Sequence, residues 1–503
     1  MIKCSFLLRL ILLLLVTLPA ISQQASSGAA TEIVRVDLSA PSTPFPHFWE
    51  EMFGSGRANL TLRDSYRRDL DWVRGITGFK YVRFHAIFQD ENGIYDEDAQ
   101  GNPIYNFSYV DQIYDGLLAH GIKPFVEISF MPKKLAASPV LHAFWYKPSP
   151  SPPKDYSKWD GLITAFAQHL LSRYGIDELS QWYFEVWNEP NIDFWAGEPK
   201  QATYFELYDH TARALKAVNP RLRVGGPATA QAAWADAFIQ HVASANVPAD
   251  FVSSHVYGND RAQDVFGTNE FIPRDKMVCR AVKKVHNQIK ASARPNLPLI
   301  WSEFNASYAN EPDITDAVFM APWLADTIRQ CDGLVDIMSY WTFSDVFEEQ
   351  GVVKQPFYGG FGLVANGGLP KPSYNAFKIL HLLGDHRLAL SSDSALATTK
   401  GSLPVLAAWN LVLPDAQGSP KTVTFQFSGL RGKHNAFIYR VDATHGSLLN
   451  AYRQMGSPRY PTQSQIETLR KAAELPAPEQ RAISGNRLSV DLPAQSLAVI
   501  EVK

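Results

Sequence analysis

Between about residue 80 and residue 345, short β-branched and aromatic runs alternate with stretches whose apolar residues recur every three or four positions. This alternation constrains the fold more than any other feature. A strand followed by an amphipathic helix brings the chain back to lay the next strand parallel to the first, and repetition builds a helix-covered parallel sheet. The strand-like runs are Tyr81–Phe84, Lys123–Ser129, Trp182–Trp187, Leu222–Gly225, Phe251–His255, Leu299–Phe304 and Ile337–Thr342, with an earlier one near Glu51–Gly54. Asp160–Tyr174 and Tyr204–Val218 carry the helical period between them. Eight such units fit a closed (β/α)8 barrel. An open doubly wound sheet would alternate in the same way, but no glycine-rich phosphate loop follows the first strand, and this favours the barrel.

After about residue 385 the helical period fades. Val405–Leu411, Thr422–Phe427 and Asn435–Val441 alternate as half-exposed strands do, and so does Glu32–Leu38 near the other end. The reading is α/β: a TIM barrel over 45–384 and an accessory β-sandwich over 385–503, which residues 23–44 join through one strand. A length of 503 residues suits a barrel with a smaller companion. An insertion at about 454–485, with a helical stretch near Gln463–Ala473, interrupts the sandwich, and Pro148, Pro150, Pro152 and Pro153 mark a rigid excursion after the third strand.

Lys3 and Arg9 flank the start of an apolar run, Leu10–Leu18, and the small residues Ala20 and Ser22 follow. This order is that of a secretory signal over residues 1–22, with cleavage before Gln23. A secreted or periplasmic protein with no membrane span after signal removal is the expectation. Cys4 would leave with the signal. Cys279 and Cys331 would remain, either bonded or, as the reading prefers, as buried free thiols. No Cys/His cluster has metal-ligand spacing. A net charge of −3 gives no basic field for phosphate backbones, so nucleic acid is not an expected partner.

Two segments carry the chemistry. Trp182–Asn191 is an apolar strand that runs into Asn188, Glu189 and Pro190, and Leu299–Asn305 ends in Glu303 and Asn305. Polar residues at the C-terminal end of a barrel strand face the mouth where barrel active sites lie. Two such carboxylates can flank a glycosidic bond, one protonated to donate to the leaving oxygen and one ionised to attack the anomeric carbon. Taken singly, each glutamate also fits a helix start or a buried ion pair.

The Trp182–Asn191 segment resembles the signature of glycoside hydrolase family 39, whose members are chiefly β-xylosidases and α-L-iduronidases. Further resemblance lies in Arg83-Phe84-His85, Ser254-His255-Val256-Tyr257, Tyr340–Asp345 and Met455–Pro458. It implies a retaining mechanism without metal or cofactor, with Glu189 as acid/base and Glu303 as nucleophile, acting on an oligosaccharide or glycoside. The later segments are more similar to the xylosidase branch. Around this pair, Asn188 is expected on the sugar 2-hydroxyl and His85 on another hydroxyl. His255 and Tyr257 are expected to hold the nucleophile ionised, and Trp341 to form an apolar platform. Phe194, Tyr308 and Trp145 are expected as loop walls. Of the neighbours Glu348 and Glu349, Glu348 matches the family pattern and is expected in the pocket. Arg261 is a candidate cation for a uronate. The rival readings are an α-L-iduronidase, an arabinose-releasing or endo-acting enzyme, and a non-catalytic sugar-binding barrel.

Overall fold

The computed structural model describes residues 30–503, so the expected signal segment lies outside the described residues. Eight parallel strands close into a barrel: β1 (Met52–Gly54), β2 (Tyr81–Phe84), β3 (Lys123–Ile128), β4 (Tyr183–Val186), β5 (Arg223–Thr229), β6 (Phe251–Tyr257), β7 (Leu299–Asn305) and β8 (Ile337–Tyr340), with β8 paired to β1. Most strands are short and fully buried, as expected for a sheet with packed faces on both sides. A helix follows each strand. Tyr156–Tyr174, after β3, shows how such a helix is bounded. The Asp155 carboxylate accepts from the Ser157 and Lys158 N–H groups at its start, and Gly175, at φ 74°, turns the chain out at its end.

Apart from two short two-stranded ribbons, the remaining strands form two sheets. Ala30–Asp37 pairs in parallel with Lys421–Ser428, which also pairs with Arg487–Leu492. Seven strands, from Ser42–Pro44 to Glu479–Ala482, form the second sheet. Leu403–Asn410 explains how sandwich and barrel join. Leu406 and Ala408 enter the core between the sheets, whereas Val405, Ala407 and Trp409 on the opposite face join the barrel's core. The expected helix in the insertion is present at Gln463–Ala473, and its Leu469 and Ala473 pack with Phe357 and Leu369 of the barrel. The expectation of free thiols is overturned. Cys279 and Cys331 form a disulfide between the helices Arg274–Lys290 and Met320–Cys331, which pack side by side, so that residues distant in sequence meet.

Candidate active site

The site grows from charged residues inside the barrel. Arg83, on β2, is fully buried among carboxylates. Its Nε donates to Glu185 Oε2 at 2.6 Å, Nη1 to Glu303 Oε1 at 2.6 Å and Nη2 to Asn188 Oδ1 at 2.9 Å, and Nη2 lies 2.8 Å from Glu127 Oε2. Glu127 and Glu185 sit opposite each other in the β3–β4 register, and Arg83 neutralises two carboxylates that would otherwise repel. On β7, Trp301 pairs with Ser254 and Glu303 with His255, so Ser302 is left over as a bulge. A strict two-residue period would send Ser302 and Glu303 to opposite faces. The bulge lets both reach inward, Ser302 to Glu185 and Glu303 to Arg83.

Glu189 follows β4 on a backbone in the left-handed region, φ 44°, with Trp187 at φ 73°. Such positions cost about 1–3 kcal/mol each and persist only where surroundings hold them. Here the Glu189 N–H donates to the Ala228 carbonyl at 2.8 Å and the Trp187 indole to the Phe194 carbonyl at 2.8 Å. The carboxyl meets His255 Nδ1 at 3.0 Å. Each of Glu189 and Glu303 places a carboxyl oxygen within 4.8 Å of the other's.

Their surroundings differ. Burial pushes Glu189 well above the usual carboxylate range, and the charges of Glu303 and Asp260 push the same way. Burial also raises Glu303, but Arg83, His85 and a 2.6 Å hydrogen bond from the Tyr257 hydroxyl oppose it. Glu189 is therefore the member held protonated. Against the cost of burial, Glu127, 2.6 Å away, holds His85 protonated and raises it to about 10. Burial, with Arg83 and His85 nearby, keeps His255 neutral.

Above the pair lies a cavity of about 300 Å³. Of the residues singled out in the sequence, His85, Asn188, Glu189, Phe194, Tyr257, Glu303, Tyr308 and Trp341 all line it. Asn188 gives its oxygen to Arg83, which leaves its amide N–H groups for a sugar hydroxyl. Trp341 lies against β1 and is 3% exposed. A Cβ on Gly54 would stand 2.1 Å from its ring, so only glycine admits the platform there.

Four placements correct the sequence reading. His255 sits behind the wall and bonds the Glu189 carboxyl, while Tyr257 alone of the two bonds Glu303. Glu348 is turned from the cavity, because Arg57 and Arg63 hold its carboxylate at 3.0 and 2.6 Å. Its neighbour Glu349 faces inward, 3.5 Å from His85 Nε2. Trp145 stacks under Arg57 outside the cavity, and Phe144 supplies the wall instead. Arg261 is engaged by Asp264 at 2.7 Å on the surface. Sequence reasoning gave no role to Arg83, Glu127, Glu185, Ser302 and Asp260. Charged residues inside otherwise apolar strands were the available signal for the first three.

Residues 32–487 match the sequence profile of Glycosyl hydrolases family 39. A β-xylosidase of Geobacillus stearothermophilus is 38% identical, the alignment covering 91% of this chain and 93% of the relative. The structure of a family 39 β-xylosidase from Caulobacter crescentus superposes with a TM-score of 0.82 at 37% identity, covering 94% of this chain and 100% of that one. The α-L-iduronidase of Mus musculus is 27% identical over 39% of this chain and 30% of its own length.

Proposed function

The chain belongs to glycosyl hydrolases family 39, and on that premise we propose that it is a retaining exo-β-xylosidase with Glu189 as acid/base and Glu303 as nucleophile. The observation that carries this reading is the close, electrostatically unequal carboxylate pair beneath a cavity sized for one sugar. Retaining enzymes hold their carboxyls about 5–5.5 Å apart, whereas inverting enzymes need about 6.5–9.5 Å to admit a water. In the first step Glu303 attacks the anomeric carbon as Glu189 protonates the departing oxygen, leaving a glycosyl ester on Glu303. In the second, water attacks that carbon, Glu189 takes its proton, and Glu303 departs as carboxylate.

A cavity of about 300 Å³ walled by Phe144, Phe194 and Tyr308 favours a chain end over a through-going polymer. Among its described lining residues there is no lysine or arginine, while Glu349 and Asp260 face in, and this disfavours a uronate. The xyloside reading also draws on the relatives named above. We further propose export from the cytoplasm. The Cys279–Cys331 disulfide supports an oxidising compartment, and mass spectrometry of the exported protein is expected to find it starting near Gln23.

The test compares kcat/KM on aryl β-D-xyloside, α-L-arabinoside and α-L-iduronide and follows the first-formed anomer by NMR. The xyloside is expected to lead and the first product to retain its configuration. A faster iduronide or arabinoside overturns the substrate, and an inverted product overturns the mechanism.

A further inference from the structure

Four buried groups form one hydrogen-bonded chain beneath the site. Glu189 Oε1 meets His255 Nδ1 at 3.0 Å, His255 Nε2 meets Ser302 Oγ at 3.0 Å, and Ser302 Oγ donates to Glu185 Oε1 at 2.6 Å. We propose that Ser302 and Glu185 are positioning residues that fix His255 with its proton on Nε2, and so oblige Glu189 to be the donor in its bond to Nδ1. The proposal rests on the assignment of Glu189 as acid/base and adds what sets its proton.

The argument runs from the far end of the chain. Glu185 is paired with Arg83 through its other oxygen at 2.6 Å, so it offers Ser302 only an acceptor. The single Ser302 proton is committed to that carboxylate, and Oγ has only lone pairs to turn toward His255. Nε2 must therefore carry the imidazole proton. Burial, Arg83 and His85 disfavour a second ring proton, so Nδ1 presents a lone pair. Two lone pairs 3.0 Å apart repel, and the contact is a bond only when Glu189 supplies the proton. The other groups facing Glu189 are Glu303 from β7, Asp260 after β6, Arg83 from β2 and His85 just after it. The two carboxylates among them favour the protonated form, and the two cations oppose it.

The arrangement serves both steps. After Glu189 has protonated the leaving oxygen, its carboxylate faces the bare Nδ1. That opposition strengthens it as the base that takes the proton from water in the second step. The β7 bulge is what turns Ser302 inward, so this chain depends on the irregularity that also aims Glu303.

The experiment begins with the unmutated enzyme. The 15N spectrum of histidine-labelled protein at pH 7, with His255 assigned by its loss in His255→Gln, is expected to show a protonated Nε2 and a bare Nδ1. A proton on Nδ1 overturns the proposal. Ser302→Ala then frees the ring to carry its proton on Nδ1 and to donate to an ionised Glu189. The alkaline limb of kcat/KM on an aryl β-D-xyloside with a poor leaving group is expected to move down by about one pH unit. The acid limb is expected to stay in place, and Ser302→Thr, which keeps the hydroxyl, to restore the profile. An unmoved alkaline limb overturns the proposal. Glu189→Ala separates the two ideas. If that variant keeps its activity on poor leaving groups, the acid/base assignment itself fails. If it loses that activity while Ser302→Ala leaves the limb in place, only the positioning chain fails.

Discussion

Tyr257→Phe removes one hydroxyl from Glu303 and little else. The ring remains to pack with Trp341, Phe347 and Phe361, and Glu303 keeps its 2.6 Å bond from Arg83. The lost bond, 2.6 Å from hydroxyl to Oε2, ends on a group that must be ionised to attack. Hydrogen bonds to charged groups contribute about 1.5–3 kcal/mol. At about 1.36 kcal/mol per pKa unit, that corresponds to a rise of roughly one to two units in Glu303. The sign follows from which form is stabilised. The bond favours the carboxylate, its removal favours the acid, and a higher pH is then needed to ionise the nucleophile. The acid limb of kcat/KM on an aryl β-D-xyloside therefore moves to higher pH by about one to two units, while the alkaline limb, set by Glu189, stays. An acid limb that does not move while the plateau falls would refute the reasoning, because the hydroxyl would then be acting on something other than the ionisation of Glu303.

Gly54→Ala places a carbon 2.1 Å from the Trp341 ring, where ordinary contacts are about 3.5–4.0 Å. The platform must shift by more than 1 Å, and a fall of about 10²-fold in kcat/KM is expected; steady-state kinetics showing a loss under threefold would count against the platform role. Glu349→Gln, which neutralises a carboxylate in the cavity, is expected to cost about tenfold or more in kcat/KM with little change in Tm. Glu348→Gln, which leaves Arg57 and Arg63 short of a partner, is expected to lower Tm more than activity, and the reverse pattern would restore Glu348 to the pocket. Cys331→Ser opens a loop spanning 52 positions, worth up to about 4 kcal/mol by chain entropy, and guanidinium unfolding is expected to show the loss while activity at 25 °C persists.

The barrel was legible because most of its strands are largely apolar runs bounded by a change of period, and Tyr81–Phe84 appears with the expected ends. The two glutamates were legible because polar residues close an apolar strand. The orientation of neighbouring loop residues was not. Glu348 and Glu349 have the same chemistry, and only Arg57 and Arg63, which reach Glu348 from the segment after β1, decide which of them turns in. The inward pair Ser302 and Glu303 was hidden for a related reason. A bulge breaks the two-residue period, and nothing in Leu299–Asn305 marks where the register slips. The disulfide depends on the packing of two helices, and spacing alone says nothing about that distance.

The parallel pairing of Ala30–Asp37 with Lys421–Ser428 bears on the order in which the molecule can be assembled. Among the described residues the earlier strand pairs with no other strand, and its apolar Val34 and Val36 must wait until the whole barrel and the first sandwich strands exist. The second sheet waits longer still, because Ser496–Val502 lies between Leu403–Asn410 and Asn435–Val441 and supplies hydrogen bonds to both. Contacts this remote in sequence are slow to form and leave sheet edges open meanwhile. The sandwich is therefore the last part of the molecule to close, and conditions that stall synthesis late in the chain strand a barrel whose helices Met320–Cys331 and Pro372–Leu380, against which the sandwich strands pack, are still uncovered.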